Sequence, residues 1–164
     1  MKTVVHPKIQ NHALVPQFDL PATRGKRARI WSYKGHQNLV IFFVTGVKDA
    51  EARTFLKDLA SRYDDYLEHN CEILVVSQDN IETLESVASE LGLPFPLVSD
   101  VDGSVTERYT ESVPAVFVVD RYGELYAQSE VDRVSDLADH ERILAGLHLI
   151  EMECPECGVT TWTL

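Results

Sequence analysis

Two apolar strands separated by one helix constrain the fold of this chain more than any other feature. Residues 39–44, LVIFFV, and residues 72–77, EILVVS, are runs rich in β-branched side chains, as found in strands buried on both faces of a sheet. Because a helix crosses between them, the two strands must be parallel. The apolar side chains of that helix recur at helical spacing: Ala52, Phe55, Leu56, Leu59, Tyr63, Tyr66 and Leu67.

The rest of the chain predicts further helices and strands. A second helix is expected to end at Leu91, because Gly92 follows, and the stretch from Asp79 to Glu82 is typical of a capping box at its start. Other predicted elements are strands at 115–120 and 124–131, a last helix over 136–152 with Leu137, Leu144, Leu147 and Ile150 inward, and an edge hairpin around 17–33.

The predicted order is β-α-β-α-β-β-α, with a short helix before the last two strands. A tight turn at 121–123 makes those strands antiparallel, so the central sheet is mixed, with helices on both faces. With an N-terminal β extension, this is a thioredoxin-like α/β fold. We assign it to residues 1–152, followed by a short tail at residues 153–164.

Composition excludes several classes of function. The chain has 164 residues and 45% hydrophobic residues, which suits one globular domain. Its formal net charge of −11 argues against binding to nucleic acid or anionic lipid. The longest apolar run, residues 39–44, is far shorter than the ~20 residues that span a membrane. Because the first residues also lack a signal-peptide core, we expect a cytoplasmic protein.

Five motifs in order resemble the redoxin families, which include peroxiredoxins of the alkyl hydroperoxide reductase/thiol-specific antioxidant type and their thioredoxin-like relatives. They are VPQFDLP at 15–21, LVIFF at 39–43, EILVVSQD at 72–79, PFPLVSD at 94–100 and VPAVFVVDRYGEL at 113–125. The resemblance covers roughly residues 15–150. It implies a thioredoxin-like fold and an antioxidant or oxidoreductase activity.

The family places its reactive cysteine at the start of the helix after the first central strand. There, free backbone N–H groups and the helix dipole favour the thiolate. In this chain the matching positions are near Val47 and Ala50, and residues 1–70 contain no cysteine. Thr45 and Lys48 remain nearby, and we expect a surface cap and a solvated lysine. The resemblance therefore implies a vestigial site without peroxidase chemistry.

A proline supports the comparison with thioredoxin. Peroxiredoxins usually carry an arginine just before the F-x-x-D strand, whereas this chain has Pro114 there, in SVPAVFVVD. Thioredoxin has a cis-proline facing the active-site helix at this point. We therefore predict a cis bond between Val113 and Pro114 and count Pro114 among the vestigial positions with Thr45, Val47 and Ala50.

The remaining cysteines are Cys71, Cys154 and Cys157. Cys71 is expected to be a buried small hydrophobe. Cys154-Pro-Glu-Cys157-Gly allows three interpretations: a redox-active dithiol, a zinc knuckle and an inert pair. A closed zinc site needs four ligands, so His148 is a candidate third ligand. Alternatively, two chains pair their tails in a homodimer, so that their cysteines together supply the four zinc ligands.

The direction of the last helix should carry the tail away from Pro114, to the pole of the molecule where Cys71 and His69 lie. Two hypotheses for function follow. In the first, Cys154 and Cys157 are the catalytic dithiol of a thiol–disulfide oxidoreductase that acts on a protein disulfide or thiol partner. In the second, a redoxin scaffold without catalysis uses the same cysteines to bind zinc or a partner.

Overall fold

The computed structural model describes residues 2–3 and 7–152, with side chains from residue 7 onward. Its strands are β1 (Lys2–Thr3), β2 (Asp19–Ala22), β3 (Lys26–Arg29), β4 (Asn38–Val44), β5 (Cys71–Ser77), β6 (Leu97–Ser99), β7 (Ala115–Val119) and β8 (Leu125–Glu130). Its α-helices are α1 (Ala50–Glu68), α2 (Ile81–Leu91), α3 (Ser104–Tyr109) and α4 (His140–Met152). None of the helices in these described ranges is long and apolar enough to span a membrane.

The strands of the described residues form one mixed sheet in the order β1-β8-β7-β4-β5-β6-β2-β3. β4 lies at its centre, parallel to β5 and antiparallel to β7, and every residue of β4 is buried. The predicted parallel and antiparallel pairs are thus confirmed, as is the edge hairpin, which is formed by β2 and β3. β6 is an additional strand that the sequence analysis did not predict; it links β5 to this hairpin.

Alternation along β4 divides the core into two halves, one on each face of the sheet. Val40 and Phe42 face the half that α1, α2 and α4 cover, whereas Ile41 and Phe43 face the half that contains α3 and the N-terminal segment. This is the period-two alternation of a strand. The predicted thioredoxin-like architecture, with helices on both faces of a mixed sheet, is therefore confirmed.

The first two helices begin at side-chain caps. The Asp49 carboxylate accepts the N–H of Ala52 at the start of α1, and the Asn80 side chain accepts the N–H of Thr83 at the start of α2. The predicted capping box at Asp79–Glu82 was therefore wrong by one residue. The predicted helix end is confirmed, since Gly92 adopts the left-handed conformation (φ 62°) that glycine tolerates best.

The last helix begins later than predicted. Residues 134–136 form a 3-10 turn, and α4 starts at His140 rather than at residue 136. The side chain of Asp139 accepts the N–H of Arg142, so this carboxylate caps the helix and fixes its start. Leu137 is still buried, but in the turn that precedes the helix.

Candidate functional site

The candidate site lies in the loop that joins β4 to α1, at the carboxyl end of the central strands. Thr45 and Ala50 are exposed, whereas the Val47 side chain is fully buried. Phe43 pairs with Ala115 in the sheet, so the start of this loop lies beside Pro114. The Val113–Pro114 bond is cis, as predicted. The fold therefore brings Thr45, Val47 and Pro114 to one edge of the sheet.

The Asp79 carboxylate occupies this loop from the inside. Asp79 Oδ2 accepts the backbone N–H of Val47 at 2.8 Å and the hydroxyl of Ser77 at 2.8 Å. A Cβ atom added at Gly46 would stand 3.5 Å from the same carboxylate, and the Ser99 hydroxyl holds the Asp79 carbonyl at 2.7 Å. The carboxylate is thus fixed directly against the loop.

The negative charge of Asp79 makes this loop a poor site for a second anion, such as a thiolate. In a site built for a thiolate, backbone N–H groups and the positive helix end stabilise the anion. Here the Val47 N–H is already bound to a carboxylate, and a second carboxylate, Asp49, caps α1. An added anion in the loop would lack this donor and would meet negative charge. Lys48 is exposed nearby, as expected.

Sequence reasoning missed the role of Asp79. Its position directly after a strand and before a helix favoured a capping interpretation, and that interpretation is locally sound. The contact that decides its role is with Val47, 32 residues earlier in the chain. The signal available in the sequence was the neighbouring Asn80, which caps a helix equally well and leaves Asp79 free.

Cys71 is the first residue of β5 and is fully buried. Burial raises the pKa of its thiol well above the usual value, and the nearby Glu72 charge acts in the same direction. The thiol group donates a weak hydrogen bond to the Glu72 carbonyl at 3.4 Å. Cys71 pairs with Asn38, at the amino end of β4, which is the end opposite Thr45. The predicted burial of Cys71 is confirmed.

The carboxyl end of α4 lies at the same pole as Cys71. The Glu151 carboxylate accepts hydrogen bonds from Asn38 Nδ2 at 3.2 Å and from Arg121 Nη1 at 2.8 Å. Asn38 begins β4, so the helix runs away from the loop at Thr45. The predicted direction of the last helix is confirmed.

Two histidines meet at this pole. His69, which follows α1, and His148, in the last described turn of α4, have ring centroids 6.1 Å apart. His148 is exposed, and His69 is half-buried. The part of the chain with described side chains contains no cluster of three or more metal-binding side chains. Cys154 and Cys157 lie outside the described residues, so both remain predicted site residues.

A separate network of hydrogen bonds, buried at Tyr66 and His140 and exposed at Asp58, joins α1 to α4. The Tyr66 hydroxyl lies 2.9 Å from His140 Nδ1, and His140 Nε2 lies 2.7 Å from Asp58 Oδ2. A carboxylate only accepts, so Nε2–H donates to Asp58, and a ring with its single proton on Nε2 accepts the Tyr66 O–H at Nδ1. Tyr66 is fully buried, and burial raises the pKa of its phenol. The Tyr66 side chain is not accessible to solvent, and these hydrogen bonds hold α1 and α4 together.

Comparison with known proteins agrees with the architecture. The AhpC/TSA family model matches residues 12–128. A curated relative from Coxiella burnetii, named "Putative peroxiredoxin bcp", is 27% identical over 135 residues, which cover 80% of this chain and 83% of that protein.

Solved peroxiredoxin structures share the fold. Peroxidoxin BcpB from Mycobacterium tuberculosis superposes with a TM-score of 0.76 at 18% identity, covering 87% of this chain and 98% of that one. The reduced 2-Cys peroxiredoxin of Plasmodium vivax superposes with a TM-score of 0.77 at 18% identity, covering 87% and 82%. From the family match and the sheet described above, this chain belongs to the AhpC/TSA family and is a peroxiredoxin-like protein with the thioredoxin-like fold.

Proposed function

We propose that this chain is a thiol–disulfide oxidoreductase of the antioxidant type whose working dithiol is Cys154 and Cys157, not a thiol in the loop after β4. The main support for the proposal is that this loop is not equipped to hold a reactive thiolate. The loop has no cysteine, and its Val47 N–H is bound by the Asp79 carboxylate. Thr45, Val47, Ala50 and Pro114 are then vestigial positions of the family site.

Elimination supports the assignment to the tail. The chain has three cysteines, and the first of them, Cys71, is fully buried with a raised pKa. A buried thiol of raised pKa supplies too little thiolate for exchange. Two residues separate Cys154 from Cys157, a spacing at which one turn brings two sulfurs together. Family membership adds the expectation of thiol chemistry somewhere in the chain.

The proposed reaction transfers two electrons from the tail to a protein disulfide. One tail thiolate attacks the substrate disulfide, which forms a mixed disulfide and expels one substrate thiolate. The other tail thiolate attacks the tail sulfur of the mixed disulfide, releases the second substrate thiolate and leaves a Cys154–Cys157 disulfide. The protons of the two tail thiols end on the two substrate thiols. A low-molecular-weight dithiol, in a reducing compartment such as the cytoplasm, then reduces the Cys154–Cys157 disulfide and is itself oxidised to a disulfide.

The insulin-reduction assay with dithiothreitol tests this proposal. We expect the full chain to accelerate insulin reduction, and Cys154→Ser and Cys157→Ser each to reduce the acceleration to background, because the second step needs both sulfurs. Cys71→Ala is the matched control and should keep the activity. Tail variants with wild-type activity would contradict the proposal.

A peroxide assay on the same proteins tests the vestigial site. We expect negligible steady turnover of hydrogen peroxide at residues 45–51, because this segment contains no thiol. Turnover that persists after both Cys154 and Cys157 are replaced by serine would refute this expectation, since only Cys71 would then remain.

The second candidate is a redoxin scaffold without catalysis that uses Cys154 and Cys157 as a zinc or partner-binding knuckle. Its specific support is His148, which is exposed in the last described turn of α4, six residues before Cys154. Pairing of two tails in a homodimer is a further form of the same proposal. An inactive insulin assay with metal bound to the purified protein would favour this candidate.

A further inference from the structure

We propose that this protein binds a small aromatic carboxylate, with a single ring, in a cavity between α4 and the β7–β8 hairpin. The cavity has a volume of about 210 Å³. A cavity of about 150 Å³ already holds benzene, whereas sites for drug-sized ligands measure about 300–1,000 Å³. One ring that carries one carboxylate suits the volume between these limits. Every residue that forms this site lies within residues 11–146, so the proposal does not depend on the proposed function of the tail.

The floor of the cavity is apolar and belongs to the packed core. Val116 and Val118 on β7 and Ile143 on α4 line it, and their exposed fractions are 1%, 5% and 3%. Because β7 is paired on both sides, by β4 and by β8, the floor is rigid. An apolar and preformed floor is typical of small-molecule sites, since the apolar part of the ligand leaves water when it binds.

Close packing of α4 against Tyr126 forms one wall. Gly146 lies inside α4, although glycine is less favourable than alanine in a helix interior. A Cβ atom at this position would stand 3.1 Å from Cε2 of the Tyr126 ring, which is tighter than most Cβ contacts. A larger residue would therefore push the Tyr126 ring, which lines the cavity, out of its position. A bound aromatic ring can pack against this ring.

Two amide side chains form a polar part of the rim. Gln128 Nε2 donates to the Ile9 carbonyl at 2.7 Å and to Asn11 Oδ1 at 3.1 Å. These bonds orient both amides and leave Asn11 Nδ2 without an acceptor among the residues that the structure describes. An N–H donor at the rim of an apolar cavity suits a carboxylate oxygen.

Arg142 indicates the charge of the ligand. It lines the cavity and is exposed at its rim, and its backbone N–H is bound by the Asp139 carboxylate. Its guanidinium has no hydrogen-bond partner in the described part of the chain. The chain has nine arginines, and the side chains of the other eight all donate to a carboxylate or a backbone carbonyl. In a chain of net charge −11, an unpaired guanidinium beside an apolar cavity favours an anionic ligand.

The number of charges at the cavity limits the ligand to a monoanion. Among the described lining residues, Arg142 alone is charged. One guanidinium matches one carboxylate, to which it offers two parallel N–H donors. Nucleotides and other phosphate esters carry more negative charge than one arginine neutralises, and a nucleotide also exceeds the volume of the cavity.

The test follows the binding of benzoate to the ¹⁵N-labelled full chain by NMR. We expect the amide signals of Tyr126, Ile143 and Gly146 to shift, with a Kd on the order of 1 mM, as is usual for a ligand of about nine non-hydrogen atoms. Benzamide has the same ring and nearly the same shape but no charge. It should bind about 5- to 10-fold more weakly than benzoate.

Replacing Arg142 separates the charge from the apolar contacts. Arg142→Gln should weaken benzoate binding about 5- to 10-fold and leave benzamide binding unchanged, because it removes the cation and keeps the floor. The matched control is Arg133→Gln, which removes the same charge from an exposed arginine that pairs with Glu51 and does not line the cavity. This control should bind benzoate as the wild type does.

Filling the cavity tests the location of the site. Ala127 lines the cavity and pairs with Val118 in the sheet, so Ala127→Leu should abolish the binding of both probes. Ser129→Leu, opposite Val116, is a second filling variant, and circular dichroism shows which of the two is folded. Equal benzoate affinity in Arg142→Gln and wild type, unchanged binding in a folded filling variant, or no benzoate-induced shifts around the cavity would each overturn the proposal.

Discussion

Replacing His140 by alanine is expected to lower the free energy of unfolding by about 2–4 kcal/mol. The buried Tyr66 hydroxyl would lose its bond to His140 Nδ1, and Asp58 would lose the bond to Nε2. The truncation also leaves a cavity between α1 and α4, because the His140 side chain is 8% exposed. Equilibrium urea denaturation measures the change.

His148→Ala is the control for this prediction, since it removes a histidine from the exposed face of the same helix. In metal-free protein its effect should stay within about 0.5 kcal/mol. Equal unfolding free energies for the His140 and His148 variants would show that the hydrogen bonds of His140 to Tyr66 and Asp58 do not stabilise the fold.

Cys71 is expected to react with iodoacetamide at least about 1,000-fold more slowly than Cys154 and Cys157 in the native reduced protein. The thiol is fully buried, so the reagent reaches it only when the central sheet opens, which costs several kcal/mol. The pKa of Cys71 is raised by burial, so thiolate forms only at a pH above the usual range. Raising the pH moderately should therefore leave Cys71 unmodified.

Peptide mass spectrometry over a time course measures this difference. In concentrated guanidinium chloride all three cysteines should react at similar rates, which excludes an intrinsic block at Cys71. Modification of Cys71 in native protein at the rate of the tail cysteines would contradict the burial that the structure gives it.

The fold was predictable because its main signals are local. The apolar run at 39–44, the helical spacing that follows it and the turn at 121–123 each specify one element, and a crossover helix leaves one parallel arrangement of β4 and β5. β6 was missed because it is only three residues long, too short for periodicity to separate it from a loop.

The candidate site was less predictable because it depends on long-range contacts. The absence of a thiol before residue 71 was readable directly. The hydrogen bond between Asp79 and Val47 could not be predicted, because Asp79 and Asn80 are both good helix caps. Only the packed structure shows that Asp79 binds the loop and that Asn80 caps α2. The His69–His148 contact joins the ends of two helices 79 residues apart in sequence, and no local pattern marks it.

The most direct test of the central claim, that thiol chemistry resides in the tail, is to map the mixed disulfide. Reduced wild type, Cys154→Ser and Cys157→Ser are each treated with oxidised glutathione and analysed by peptide mass spectrometry. The account predicts a Cys154–Cys157 disulfide in the wild type and glutathione on the remaining tail cysteine of each variant. Glutathione on Cys71, or on both tail cysteines of the wild type without an internal disulfide, would contradict it.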